Sequence, residues 1–221
     1  MSVLPSTLVC FAVKQEGYAF ARTTAGKATR ILFTGMGATN ARRAIQAEFA
    51  TARPRRVLSA GFAGGLAPGL AMGTVGFSSD NAELAGALRN AGALAARFHC
   101  AEKVATTARE KRALREQTGA DAVEMESGII CKYCAQQGIP NAIVRVILDT
   151  ATEDLPLDFN TLLNSRQELA PGKLSRALLK QPQKILELLR LQRRSAAAAR
   201  ALAEVLSRVV GVEPARRAGR I

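Results

Sequence analysis

The chain has no tryptophan, one histidine (His99) and two tyrosines in 221 residues. So few aromatics leave little to stack on bases. No helix-turn-helix, zinc-finger or RNP pattern is present either, so no nucleic-acid partner is expected. Cysteines are scarce as well. Cys10, Cys100, Cys131 and Cys134 show no disulfide-like framework. The Cys131-Lys-Tyr-Cys134 pair lacks the second pair or the histidines of a structural zinc site. It falls inside a helical pattern, whereas a redox C-x-x-C belongs where a strand opens onto a helix. No metal and no cofactor are expected. No apolar run approaches the roughly 18–20 residues that span a bilayer. The N-terminal MSVLPSTLVCFAVK lacks a basic leader region and runs into a strand-like stretch, which argues against a signal peptide and for a cytoplasmic protein. Acidic residues are also in short supply: 18 against 31 Lys and Arg, a net charge of +13. That imbalance asks for an acidic partner, whether nucleic acid, a phosphorylated substrate or an anionic membrane.

What is there suffices for a folded core. Apolar residues make up 48% of the chain, enough to exclude a disordered chain, and the length fits one domain. TLVCFAV (7–13), the ILF of ATRILFTGMG, Val57–Ala60, a short stretch near Val75 and Ala142–Leu148 read as strands. Residues 41–50, 82–96, 107–117 and 126–136 read as helices, the last stopped by Gly138-Ile-Pro140. Strands alternating with helices predict a single-domain α/β layered fold with a mixed, largely parallel sheet. A catalytic domain over 1–170 and a basic helical extension over 171–221, packed on the same domain, complete the expected organisation. The final PARRAGRI reads as a frayed tail.

Ligands of such sheets meet the chain at strand ends. Four strand ends carry distinctive residues: Glu16, Gly35-Met36-Gly37, Gly61 to Leu66, and Asp149. VEMES (123–127) adds Glu124 and Glu126 on either side of Met125. Acidic residues favour helix N-termini, so a solvated first turn is the simple account of that pair; a polar group aimed into a shared cleft is the other.

The ordered set AVKQE (12–16), TGMGATNA (34–41), SAGFAGGLAPGLAMGTV (59–75), AVEMES (122–127) and VRVILDTATEDLPLDF (144–159) resembles the nucleoside phosphorylase and nucleosidase superfamily, in particular methylthioadenosine/S-adenosylhomocysteine nucleosidase. DLPLDF and the basic helical tail are similar to the hopanoid-associated phosphorylases. The resemblance implies cleavage of the N-glycosidic bond of a 5′-substituted adenosine with release of adenine. Adenosylhopane is the leading substrate, and methylthioadenosine or S-adenosylhomocysteine the alternative. It implies that Asp149 protonates N7 of the base and that Glu16 positions or activates the attacking water. Glu126 would bind the ribose hydroxyls and Met125 would pack on the sugar. Gly35, Gly37, Gly61 and Phe62 would line the turns around the substrate. Val104 and Ala105 would give backbone hydrogen bonds and packing to adenine. Glu124 is expected to support the structure around Glu126. Arg145 is either a buried ion-pair partner or a site residue. A homo-oligomer is also implied.

Three departures stand out. Ser59 and Phe62 replace the arginine and serine that anchor phosphate in the phosphorylases, favouring water as the nucleophile, although Arg42 and Arg43 keep a phosphate anchor open. Leu148 replaces a serine before the catalytic aspartate. The segment from Val75 to Val104 is short, which fits a site open on its 5′ side or a decayed pocket. Residues 173–200 carry eight basic side chains against Glu187, interleaved with leucines and split by Pro182. They read as a solvated basic face or as an element resting on the inner face of an anionic membrane. A decayed nucleoside-binding protein and a basic nucleic-acid-binding protein are the rival readings.

Overall fold

The computed structural model describes residues 7–162, 164 and 170–211; the PARRAGRI tail lies outside them. In chain order the elements are β1 (Thr7–Phe11), α1 (Lys14–Ala21), α2 (Thr24–Lys27), β2 (Arg30–Phe33), α3 (Ala38–Thr51) and β3 (Arg56–Gly65). Then come β4 (Val75–Ser78), α4 (Ala82–Asn90), β5 (Leu94–Ala95), β6 (Phe98–Cys100), α5 (Ala108–Thr118) and β7 (Ala122–Glu124). The chain continues through α6 (Ser127–Gln136), β8 (Asn141–Asp149), α7 (Phe159–Leu162), α8 (Pro171–Lys180) and α9 (Lys184–Gly211).

One mixed, mostly parallel sheet runs in the order β2-β1-β3-β8-β4-β5, with β7 joined to β3 and β6 to β7. Only the β4–β8 and β3–β7 pairs are antiparallel. The continuous apolar run of β1 follows from burial on both faces. Leu8 and Cys10 pack with Val57, Ala41, Ile45, Ile130 and Cys134 on the side covered by α3 and α6. Val9 and Phe11 point the other way, into a larger cluster with Leu58, Val144, Val146, Leu84 and Leu88. Successive strand residues face opposite sides, so a strand covered by helices on both sides reads as apolar throughout. The second half of α9 closes that larger cluster with Ala198, Leu202, Leu206 and Val209. The first half, from Lys184 to Ala197, buries no residue.

Three expectations need correction. The helix expected over 82–96 stops at Asn90. Gly92 adopts φ +96°, a left-handed turn that glycine makes without strain, and Leu94–Ala95 then pairs with β4 as a strand. The turn expected at Gly61–Leu66 is largely strand. β3 extends through Gly65 because its small residues pair with β8 on one side and, at Gly64 and Gly65, with β7 on the other. The Glu124–Glu126 pair does not sit in a solvated first turn. Glu124 ends β7, Glu126 precedes α6, and both are buried.

Candidate active site

At Gly61 three segments of the chain, β3, β8 and α1, converge. Gly61 lies opposite Arg145 in the β3–β8 register. A Cβ at this position would come within 2.2 Å of Arg145 Nη1 and 2.6 Å of Glu16 Oε1. The glycine is therefore what allows the guanidinium and the carboxylate to share one place. Glu16 sits in the first turn of α1, where its Oε2 accepts from the backbone N–H groups of Ala12 (2.9 Å) and Val13 (3.2 Å). Its Oε1 accepts from the Phe62 N–H at 2.9 Å. Burial pushes the Glu16 carboxyl above its usual range, against the pull of Arg145 and these backbone donors.

The two glutamates of VEMES have separate jobs. Glu124 accepts from Arg145 Nη2 (2.6 Å), from the N–H groups of Glu126 (3.0 Å) and Ser127 (2.8 Å), and from Ser127 Oγ (2.6 Å). Burial would raise its carboxyl, but Arg145 and the Ser127 donors hold it below the ordinary value, so it is a fixed anion seating both Arg145 and the start of α6. Glu126 is less fully committed. Its Oε1 accepts from the Gly37 N–H (2.9 Å), and its Oε2 stands 3.7 Å from Arg145 Nη2. Burial, partly offset by Arg145 and reinforced by the nearby Glu16, pushes it up to about 7. Arg145 is 1% exposed, and its Nη2 also reaches Ser59 Oγ at 3.3 Å. Among the described residues its Nε and Nη1 have no hydrogen-bond partner. A buried guanidinium edge without an acceptor costs free energy and is suited to an incoming oxygen.

Asp149 ends β8, three β3 positions beyond the Gly61 convergence. Gly64 is the residue that makes room for it, since a Cβ there would stand 3.3 Å from Asp149 Oδ2. The β3–β8 register slips between Ala63 and Gly64, leaving Leu148 without a partner on β3. The leucine before Asp149 is therefore the bulge residue, the kind of irregularity that re-aims a neighbouring side chain. Asp149 is 7% exposed and ion-paired with Lys111 of α5. Burial raises its carboxyl above the usual value against the opposing charge of Lys111.

The remaining candidates divide. Met125 is buried between the two glutamates, and Ala105 packs with Leu66, Ala120 and Val123. Gly35 and Gly37 both take φ +81°, but their amides are spent on Ala12 O (3.0 Å) and Glu126. The Phe62 amide likewise serves Glu16. The backbone hydrogen bonds expected of Val104 are already made. Asn160 Oδ1 accepts from its N–H at 2.9 Å, and Asn160 Nδ2 donates to its carbonyl at 3.0 Å. The carboxamide reached that edge because α7 folds back over the segment before α5, a long-range contact that local pattern does not reveal. Arg42 and Arg43 are exposed on α3. Sequence reasoning also missed Lys111, one of several basic residues in a charged helix with nothing local to distinguish it. A cleft of about 670 Å³ between α1 and α9, lined by Lys14, Tyr18, Arg22 and Arg200, lies on the outer face of α1 and contains none of these carboxylates.

The family model of the phosphorylase superfamily matches residues 95–180, a span that includes Lys111, Glu124, Glu126, Arg145 and Asp149. A search of curated proteins gave no match. Among solved structures, the chain is similar to a 5′-methylthioadenosine/S-adenosylhomocysteine nucleosidase of Colwellia psychrerythraea in complex with adenine. The two are 15% identical with a TM-score of 0.66, over 93% of this chain and 94% of that one. The corresponding nucleosidase of Neisseria meningitidis, with methylthio-immucillin-A, is 22% identical with a TM-score of 0.61, over 92% and 99%. The futalosine hydrolase of Helicobacter pylori is 13% identical with a TM-score of 0.63, over 90% and 96%. At these identities the likeness is one of fold.

Proposed function

We propose that the chain hydrolyses the N-glycosidic bond of a 5′-substituted adenosine and releases adenine. The observation that carries this reading is the pairing of two buried clusters along β3. Glu16, Glu126 and Arg145 gather at Gly61, and Asp149 stands at Gly64, roughly 10 Å away at strand spacing. That separation suits a ribose at one end and its base at the other. Breaking the bond builds positive charge on the ribose and negative charge on the departing purine. Asp149, whose carboxyl burial raises above its usual value, donates its proton to N7, while Glu126 accepts from the ribose hydroxyls and Met125 packs on the sugar. Water rests between the open guanidinium edge of Arg145 and Glu16. As it attacks C1′, its proton passes to the Glu16 carboxylate. Phosphate is disfavoured as the nucleophile because three buried carboxyl groups, Glu16, Glu124 and Glu126, already surround Arg145, and added negative charge there would be repelled.

Adenine presents a donor and an acceptor side by side, the same pair that Asn160 offers to Val104. Base binding therefore replaces the Asn160 carboxamide on that backbone edge. Among nucleosides we favour one with a bulky apolar 5′ group, adenosylhopane, over methylthioadenosine or S-adenosylhomocysteine. The support is that Arg194 of α9 reaches Glu153 in the turn after Asp149 at 3.0 Å, while Leu179 of α8 and Ile185, Leu186 and Leu189 of α9 are exposed on these basic helices. Such a face suits an anionic lipid surface that holds an amphiphilic substrate. The test is adenine release from adenosylhopane and from methylthioadenosine, with and without phosphate, beside Asp149→Asn. Release that is phosphate-independent and lost in the variant is the expected result. No release from either nucleoside overturns the reading.

A further inference from the structure

Lys111 is the one buried residue of α5, and it is 0% exposed. A buried ammonium is costly unless every proton finds an acceptor. Here Nζ donates to the carbonyls of Thr150 (2.8 Å) and Glu153 (2.7 Å), and the Asp149 carboxyl of the same short segment stands against it as its ion-pair partner. The lysine thus holds the turn after β8 by its backbone and Asp149 by its charge. The other charged groups around this carboxyl come from two elements. Glu153, in the same turn, spends its own carboxylate on the Thr150 N–H (3.0 Å) and hydroxyl (3.1 Å) and on Arg194 of α9. Glu153 still pushes the Asp149 carboxyl up, and Lys111 is the cation that opposes it.

We propose that Lys111 is the positioning residue of the acid: its ammonium fixes the Asp149 carboxyl at the end of β8 and offsets the negative charge that forms there when the proton leaves for the base. This inference rests on the reading of Asp149 as the proton donor. Burial alone would give a carboxyl that keeps its proton and surrenders it poorly. A fixed cation behind the carboxyl favours the ionised product, and an acid works best when holding and releasing the proton are balanced near the working pH. The chemistry is complete without a further reactant. The O–H bond of Asp149 breaks as the N7–H bond forms, the glycosidic electron pair goes to the purine, and Lys111 remains an ammonium throughout. Asp149 regains its proton from the medium after the base departs.

The experiment compares the pH dependence of kcat and KM for adenine release in the wild type, Lys111→Met, Lys111→Gln and Lys111→Arg, with thermal melts identifying the folded variants. Activity that needs a protonated acid falls on the alkaline side. In the two neutral variants that limb moves up by about one pH unit or more. Their plateau kcat falls roughly tenfold or more with KM nearly unchanged. Lys111→Arg keeps the charge and keeps the limb near its wild-type position. Glutamine retains a donor for the two carbonyls, so it carries the comparison if the methionine variant does not fold. An unmoved limb in a folded, active neutral variant overturns the role of Lys111 and leaves the glycosidase reading intact. So does a limb that moves as far in Lys111→Arg as in the neutral variants. A wild type that releases no adenine takes down both.

Discussion

The missing side chain at Gly61 leaves the space that Arg145 and Glu16 both crowd into. Gly61→Ala forces a carbon to within 2.2 Å of the guanidinium. We expect a stability loss of about 1–3 kcal/mol by denaturant titration. Adenine release should fall about a hundredfold, since small displacements of reacting groups are costly. Glu126 carries a second expectation. Its folded value of about 7 stands above the ordinary 4.5, so between these values the folded chain holds a proton that the unfolded chain has released. Its stabilising contribution is complete below pH 4.5 and is lost as pH rises through about 7. Glu126→Gln removes that dependence, so relative to wild type the variant should gain up to about 3 kcal/mol across the window. Unfolding curves at pH 4.5 and 7.5 check this; parallel pH dependence in the two proteins would contradict it.

The long C-terminal helix is two elements in one. Leu202 is fully buried in the larger core, whereas Leu189 is 49% exposed. Leu202→Ala should cost about 2–5 kcal/mol in urea unfolding. Leu189→Ala should stay within about 0.5 kcal/mol. Most of the sheet was legible because β1, β2, β3 and β8 are apolar runs bounded by turn residues. The sequence also marked Glu16, Glu126 and Asp149 by their order along the chain, and the structure brings Glu16 and Glu126 to one guanidinium. What was not legible depends on distant partners. β6 and β7, three residues each, exist because they pair with each other and with β3. Lys111 looks like any surface lysine until α5 is docked against the turn after β8. Asn160 gains meaning only when α7 lies on Val104.

Over the whole molecule, α8 and the first half of α9 combine a local excess of basic charge with the exposed Leu179, Ile185, Leu186 and Leu189. No helix among the described residues is long and apolar enough to cross a membrane, so contact there would be peripheral. The chain should bind vesicles of anionic lipid but not zwitterionic ones, with binding weakened by salt and by the double change Leu186→Glu and Leu189→Glu. Sedimentation of the same proteins without lipid separates this from self-association. A chain that pairs through the leucines and ignores vesicles would overturn the membrane reading. The proposed site draws on Glu16, Gly37, Gly61, Lys111, Glu126, Arg145 and Asp149, one or two residues from each of six separate stretches. No single helix or strand holds more than a corner of it, and the corners meet only when the sheet has closed. On the proposed function, ligand capture would be all-or-none with folding, and an adenine analogue would report how much of the population is native.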